Sequence, residues 1–343
     1  MPTHPHHTFG LRERLRYAST VFLKKNLVSG SPYHRYSLRE KIQTLTLGLR
    51  QKSRPAKILI AGPYAGEFGY ELMQWQGFVR ARRPHYAATH VLTYPGRNYL
   101  YEDCTVHAHD IPLQSAGYGY GLLTPVKATA MAAALADNIG LSDYDIFHPA
   151  LLCTRYHRSW LWKQDFRLFE EPPLPGRLHD VAFHFRAFTK KGPDQAKNYT
   201  PELANRLASL CLEQGLSVAC IGHPDYALCA EGCEDLRRID LAAGIQAINS
   251  ARLVAGENSG PMHLANLCGK PTLLWANDPW RINYSLRWNP FRVPQFVAAD
   301  NTSQPDPGLV CAAIRNALEE LRRNTDGFTR PCYTFPARPI AAA

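Results

Sequence analysis

The segment Ala251-Arg-Leu-Val-Ala-Gly-Glu-Asn-Ser-Gly-Pro-Met-His-Leu-Ala-Asn-Leu-Cys-Gly-Lys-Pro271 carries one repeat of an α/β architecture. Its apolar start predicts a strand over Arg252–Gly256, and the polar run Glu257-Asn258-Ser259-Gly260 predicts a loop. Pro261 suits the first turn of a helix, where its missing N–H loses no bond, so a helix is predicted over Pro261–Cys268. Gly269 fits the end of that helix, and the apolar Pro271–Trp275 predicts the next strand. A loop at a helix N-terminus turns backbone N–H groups and the positive end of the helix dipole toward an anion such as a diphosphate. The Ser259 hydroxyl adds a hydrogen bond there, and Gly260 has no side chain to hold a ligand off.

The same alternation extends in both directions. Upstream, Lys57–Ala61 reads as a strand ending in Gly62-Pro63, followed by a helix over Glu71–Arg82, a strand over Thr89–Thr93 and an Ala-rich helix over Leu122–Asn138. The cluster Pro172-Pro173-Leu174-Pro175-Gly176 reads as a linker. After it come a strand (Asp180–Arg186), a helix (Pro201–Gln214), a strand (Leu216–Ile221) and a short helix including Ile245–Ser250. Strands alternating with helices predict parallel sheets covered on both faces. A chain of 343 residues exceeds what one core usually serves. The fold class expected is therefore α/β, with two Rossmann-like domains facing across a cleft and ligands at the carboxyl ends of the strands. The segments are 1–57 (basic extension), 58–170, 171–300, and 301–343 (helix and Pro-rich tail).

Composition narrows the classes. With 45% hydrophobic and 20% charged residues the chain is an ordinary globular one. No apolar run approaches the ~20 residues of a membrane span, and no secretory segment is read near Met1. None of the nine cysteines forms a C-x-x-C pair; Cys229 and Cys233 are spaced for one helical face without a matching pair nearby. A reduced cytoplasmic chain without a metal site is the expectation. The charge is concentrated: residues 1–57 hold twelve Lys or Arg against Glu13 and Glu40, which accounts for the whole net charge of +10. Leu11, Leu15, Val21, Phe22 and Leu27 intersperse with Arg12, Arg14, Arg16, Lys24 and Lys25. That pattern suits peripheral contact with an anionic membrane at its inner face, or a helix docked on the body; nucleic acid is the weaker reading.

Three further stretches carry candidate chemistry. In Val181-Ala-Phe-His-Phe-Arg186 the alternation places Arg186 at the carboxyl edge of its strand, where a guanidinium can clamp a phosphate, and Lys190 and Lys191 follow. His184 reads as a buried, hydrogen-bonded side chain. In Gly62-Pro-Tyr-Ala-Gly-Glu-Phe-Gly-Tyr-Glu-Leu-Met-Gln-Trp-Gln76 the glycine spacing is not that of a dinucleotide fingerprint. The loop instead offers two carboxylates, Glu67 and Glu71; Glu71 alternatively serves the start of its own helix. Tyr70 and Trp75 read as a sugar-stacking face or as helix core. Asp103, His107, His109 and Asp110 form an imidazole–carboxylate run without metalloprotease spacing, and Asn277–Arg281 follows the Pro271–Trp275 strand toward the same edge. No Walker A string or nucleophile elbow occurs.

Glu257-Asn-Ser-Gly-Pro-Met-His-Leu-Ala265, followed by Gly269-Lys-Pro271, resembles the donor-site motif of family 9 glycosyltransferases, the heptosyltransferase group with the GT-B fold. The family usually has Asp where Asn258 stands. The His-x-Arg end of the Val181–Arg186 strand also resembles that of fucosyltransferases, whose arginine meets the donor diphosphate. The resemblance implies transfer of a hexosyl or heptosyl group from a nucleotide-diphosphate sugar to an acceptor hydroxyl, inverting and independent of metal or cofactor. It implies an acceptor domain over 58–170 and a nucleotide-sugar domain over 171–300. Arg186, Lys190, Asn258, Ser259, Gly260 and His263 would meet the diphosphate, and Gly222, His223 and Glu257 the nucleotide. Gly66, Tyr70 and Trp75 would meet the acceptor, a glycan, glycolipid or small molecule. Gly66-Glu67 is the counterpart of the family's Gly-Asp, which makes Glu67 the first candidate for general base and Glu71 the second. A nucleotide-sugar epimerase or hydrolase on this fold, or a non-catalytic nucleotide-sugar binder, is the alternative.

Overall fold

A computed structural model describes residues 57–111, 123, 125–148, 164–176, 178–187, 198–275, 285, 288–298, 304–324 and 332–335. The basic extension up to residue 56, Lys190, Lys191 and Asn277–Arg281 lie outside the described residues. The chain forms two compact units, Met1–Phe166 and Arg167–Ala343, dividing just before the Pro172–Gly176 cluster.

In the first unit β1 (Ile58–Ala61), β2 (Ala88–Thr93), β3 (Thr105–Ala108) and β4 (Tyr144–Phe147) make a parallel sheet in the order β3-β2-β1-β4. β1 is flanked on both sides, with Leu59 opposite Thr89 and Asp145. After β1 the chain turns helical as α1 (Phe68–Tyr70), passes through a π-helical turn (Glu71–Trp75) and continues as α2 (Gln76–Arg82). Helix α3 (Pro125–Asn138) buries Ala128, Ala132 and Ala136 at four-residue spacing. These small side chains bring the helix close to the sheet, with Ala132 and Ala136 clustered against Ile60 and Ile146.

The second unit holds β5 (His179–Arg186), α4 (Pro201–Glu213), β6 (Val218–Cys220), β7 (Ala227–Leu228), β8 (Glu234–Asp235), α5 (Leu241–Asn249) and β9 (Ala251–Glu257). It continues with α6 (Gly260–Leu267), β10 (Thr272–Trp275), β11 (Gln295–Ala298), α7 (Pro307–Arg323) and β12 (Cys332–Phe335). The sheet runs β12-β11-β10-β9-β5-β6-β8, parallel throughout, with β7 antiparallel to β5. Read from β8, the chain order is third, second, first, then fourth to seventh: the doubly wound order of a Rossmann-type sheet. Residues on both faces of β5 are buried, as a covered parallel sheet requires. Val181, Phe183 and Phe185 point into one core with Leu207, Trp275 and Ile314, and the rings of Phe183 and Phe185 stack at 4.9 Å. Helices α4, α5 and α7 start at side-chain caps: Thr200, Asp240 and Asp306 accept from the backbone N–H of Leu203, Ala243 and Leu309.

The α/β class with two Rossmann-like units is therefore as expected. Two details differ. The tail carries β12, which joins the edge of the second sheet, so helix and tail belong to that unit. Cys229 and Cys233 do not share a helical face; they lie between the short strands β7 and β8, where Gly232, with φ 78°, turns the chain.

Candidate functional site

In both sheets the strand order reverses beside the first strand, between β1 and β4 and between β5 and β9. Connections leave in opposite directions at such a point and open a crevice at the carboxyl ends of the strands, where ligands of α/β sheets bind.

In the second unit that point is framed by Arg186, the last residue of β5, and by Glu257-Asn258-Ser259-Gly260 at the end of β9, with His184 opposite Gly256 in register. Ser259 is the N-cap of α6 in extended conformation, yet its side chain makes no capping bond. Its Oγ lies 2.9 Å from His184 Nδ1 instead. Burial holds the His184 imidazole neutral, with its pKa lowered to about 3, and the adjacent Arg186 charge adds to the shift. Gly222, with φ 117°, closes over this ring: a Cβ there would sit 2.7 Å from His184 Cδ2. Gly222 is thus the residue that admits the imidazole. Asn258 and Arg186 are partly buried, whereas Glu257 and His263 are interior. The His263 ring meets Trp288 edge-on at 4.7 Å. His223 leans on Tyr226 at 5.0 Å, and its Nδ1 accepts from the Asp225 N–H at 3.2 Å.

In the first unit the loop after β1 is held at nearly every residue. The Gly62 N–H donates to Phe147 O at 2.6 Å and the Tyr64 N–H to Leu92 O at 2.9 Å. His109 Nε2 donates to Tyr64 O at 2.7 Å, and the buried His148 bonds the Pro63 carbonyl. The Tyr64 hydroxyl donates to Glu67 O at 2.7 Å, and that carbonyl also accepts from the N–H groups of Tyr70 and Glu71. Gly66 lies under the Tyr64 hydroxyl, 2.6 Å from where a Cβ would be. Glu67 therefore sits on a rigid backbone, partly buried, at the start of α1 without capping it.

Glu71 is placed differently from the loop carboxylate expected of it: it is 0% exposed. Thr93 Oγ1 and the Tyr101 hydroxyl donate to its Oε1 at 2.5 and 3.0 Å, and Arg97 Nε stands 3.4 Å from Oε2. Burial raises its pKa, against the opposing pull of Arg97 and these hydrogen bonds. Tyr70 and Trp75 are interior too, Trp75 stacking between Tyr64 (6.2 Å) and Phe78 (5.7 Å). The burial is not confined to one face: Gln76–Val79 of α2 are buried as well as Glu71–Trp75, so this helical stretch is enclosed on all sides. The imidazole–carboxylate run does not assemble into one group. Asp103 pairs with Arg80 at 3.7 Å, His107 meets His90 at 3.0 Å, and His109 serves the loop. Among the described residues no trio of His, Cys, Asp or Glu is arranged to hold a metal ion, and no helix is long and apolar enough to cross a membrane.

No family model and no curated protein sequence matches the chain. Solved structures do. E. coli ADP-heptose LPS heptosyltransferase II aligns over 78% of this chain and 99% of its own, at 14% identity and a TM-score of 0.51. A family 9 glycosyl transferase from Veillonella parvula aligns over 77% and 97%, at 12% identity and a TM-score of 0.50. The iron-containing dodecameric glycosyltransferase TibC from enterotoxigenic E. coli aligns over 65% of this chain at 16% identity and a TM-score of 0.43, and this chain spans 58% of its length. The first two show that this chain shares the heptosyltransferase fold.

The burial of Glu71 has a pH signature. A carboxyl whose folded pKa lies above its unfolded value favours the folded state most while protonated, and that contribution declines as pH rises through the interval between the two values. In urea unfolding, wild type should lose stability relative to Glu71→Gln as pH rises from about 4 toward 7. A difference that does not change with pH would overturn this account of Glu71.

Proposed function

We propose that the chain is a glycosyltransferase that moves a sugar from a nucleotide-diphosphate donor to an acceptor hydroxyl. The observation that carries this reading is the end of β9: a family 9-like motif, at the switch point of a doubly wound sheet, whose N-cap hydroxyl is not spent on its own helix. The donor diphosphate lies against Arg186, Asn258, Ser259 and Gly260, with Lys190 on the following loop. Guanidinium, hydroxyl and helix N–H groups together neutralise the leaving diphosphate without a metal ion or cofactor. Glu257, His263 and Gly222 shape the pocket from beneath, and His223 flanks the nucleotide.

The acceptor belongs to the first unit, beside Gly66 and Glu67. Glu67 takes the proton of the acceptor hydroxyl as that oxygen attacks the anomeric carbon. The diphosphate leaves from the opposite side, so the configuration inverts. The rigid backbone of Glu67 supports this role, because a general base acts only at hydrogen-bond distance from its proton. Glu71, its carboxylate closed in by Thr93, Tyr101 and Arg97, fixes the helix that follows. The basic residues 1–57 place the enzyme on an anionic membrane surface.

Three measurements test this reading. Glu67→Gln should lower kcat by roughly 10²–10⁴ while nucleoside diphosphate affinity holds; unchanged turnover removes Glu67 from catalysis. Arg186→Ala should weaken nucleoside diphosphate binding by about ten- to a hundredfold, as expected for a charge-assisted phosphate contact of roughly 1.5–3 kcal/mol. Equal affinity in titration calorimetry would take Arg186 out of the site. Deleting residues 1–50 should abolish salt-sensitive binding to anionic vesicles and leave turnover on a soluble acceptor intact; vesicle binding that survives the deletion refutes the membrane role. Product analysis separates transfer, which needs both substrates, from epimerisation or hydrolysis of the donor alone.

A further inference from the structure

Ser259 differs from the other side-chain-capped helix starts of its unit. Thr200, Asp240 and Asp306 each bond the third residue of their own helix, whereas Ser259 leaves that position untaken and turns to His184. In α6 the second residue is Pro261, which has no N–H, so a Ser259 cap would occupy the N–H of Met262. Capping that N–H would remove a donor from the place where the donor-site reading puts the diphosphate.

The partner that diverts the hydroxyl is fixed from several sides. His184 sits two residues before the end of β5, is 4% exposed, and is opposite Gly256 in register. A Cβ at Gly256 would lie 2.9 Å from the His184 carbonyl oxygen, and one at Gly222 would strike the ring itself. Gly222 thus makes the space in which this imidazole stands, and Gly256 admits the backbone that carries it. Burial keeps it neutral, so its Nδ1 can carry one proton and donate it without bringing a charge beside Arg186.

We infer that His184 is a positioning residue of the donor site. Its Nδ1–H donates to Ser259 Oγ, holds that hydroxyl across the switch point and away from the backbone of α6, and leaves the hydroxyl proton to donate to a phosphate oxygen. The hydrogen bond spans the two strands between which the sheet order reverses. Ligand contact therefore comes from Ser259 and the start of α6, and His184 acts only through them. This inference rests on the donor-site reading of the same loop.

The test is titration calorimetry of the full chain with ADP, UDP and GDP, followed with whichever binds wild type. His184→Phe fills the space without a polar atom and should weaken binding by about tenfold, the scale of one lost hydrogen bond. His184→Asn places an amide where Nδ1 stands and should stay within about threefold of wild type, while His184→Gln, whose amide reaches the Nε2 position, should behave like Phe. In the Ser259→Ala background His184→Phe should cost nothing further, because the hydroxyl it positions is gone. If His184→Phe does not fold, the comparison of Asn with Gln decides alone. Wild-type affinity in the Phe or Gln variant, or losses that add in the double variant, overturns the role of His184 and leaves the donor site standing. Absence of binding by wild type to all three diphosphates overturns the donor site itself, and this inference with it.

Discussion

In each unit the chain builds outward from its first strand to one side of the sheet, then returns to continue on the other. That reversal is the constraint on which the remaining features depend. Between β1 and β4, and between β5 and β9, loops must diverge, so backbone at the strand ends is left without the neighbouring connection that would cover it. Buried polar backbone needs partners. In the first unit they come from the strands on either side and from histidine: Gly62 bonds Phe147, Tyr64 bonds Leu92, and His109 and His148 hold the Tyr64 and Pro63 carbonyls. In the second unit the ends of β5 and β9 are joined through His184 and Ser259.

Three buried imidazoles thus do the same physical work. Desolvation lowers the pKa of His109, and lowers that of His148 and His184 to about 3, so all three are neutral near pH 7. A neutral imidazole supplies one N–H donor on a stiff, planar side chain and asks for no counter-charge. It is suited to fixing a loop, and unsuited to exchanging protons with a substrate. Of the two carboxylates in the loop, Glu71 is held by Thr93, Tyr101 and Arg97, which join the π-helical turn to β2 and to the segment after it. The Glu67 carbonyl accepts from the Tyr64 hydroxyl and from the N–H groups of Tyr70 and Glu71.

Features that depend on local pattern were legible in the sequence. Strand, loop and helix over Ala251–Leu267 follow from an apolar run, a polar break and Pro261, and the alternation in Val181–Arg186 correctly puts Phe183 and Phe185 inside. Strands β3, β4, β11 and β12 are four residues each and were not legible; β1 and β10 are no longer, but a Gly–Pro or Gly–Lys–Pro break beside an apolar run marks them, and the other four lack one. The burial of Glu71, Tyr70 and Trp75 was also illegible. It depends on the enclosure of the whole stretch Tyr70–Val79, and on partners more than twenty positions away, Thr93, Arg97 and Tyr101, that make a buried carboxylate tolerable. For Gly222 the sequence shows a glycine after a strand, and only the packing shows that the space it leaves is filled by His184.

The distribution of charge bears on how an anion can be held at all. Beyond residue 57 the acidic and basic side chains balance, so the globular body has no net positive charge with which to attract a diphosphate from a distance. On the donor-site reading proposed above, recognition there is short-ranged: one guanidinium at the end of β5, a hydroxyl and the first N–H groups of α6. Groups fixed in advance need no reorganisation when charge develops on a departing diphosphate, and a partly buried setting screens them less than open solvent would. The net positive charge belongs instead to residues 1–57, for which the proposed counterpart is a surface of many weak charges, such as a membrane. If the proposed surface contact and donor site both hold, salt that loosens the basic extension should leave the short-ranged contacts at the switch point comparatively intact, so that the two respond to ionic strength independently.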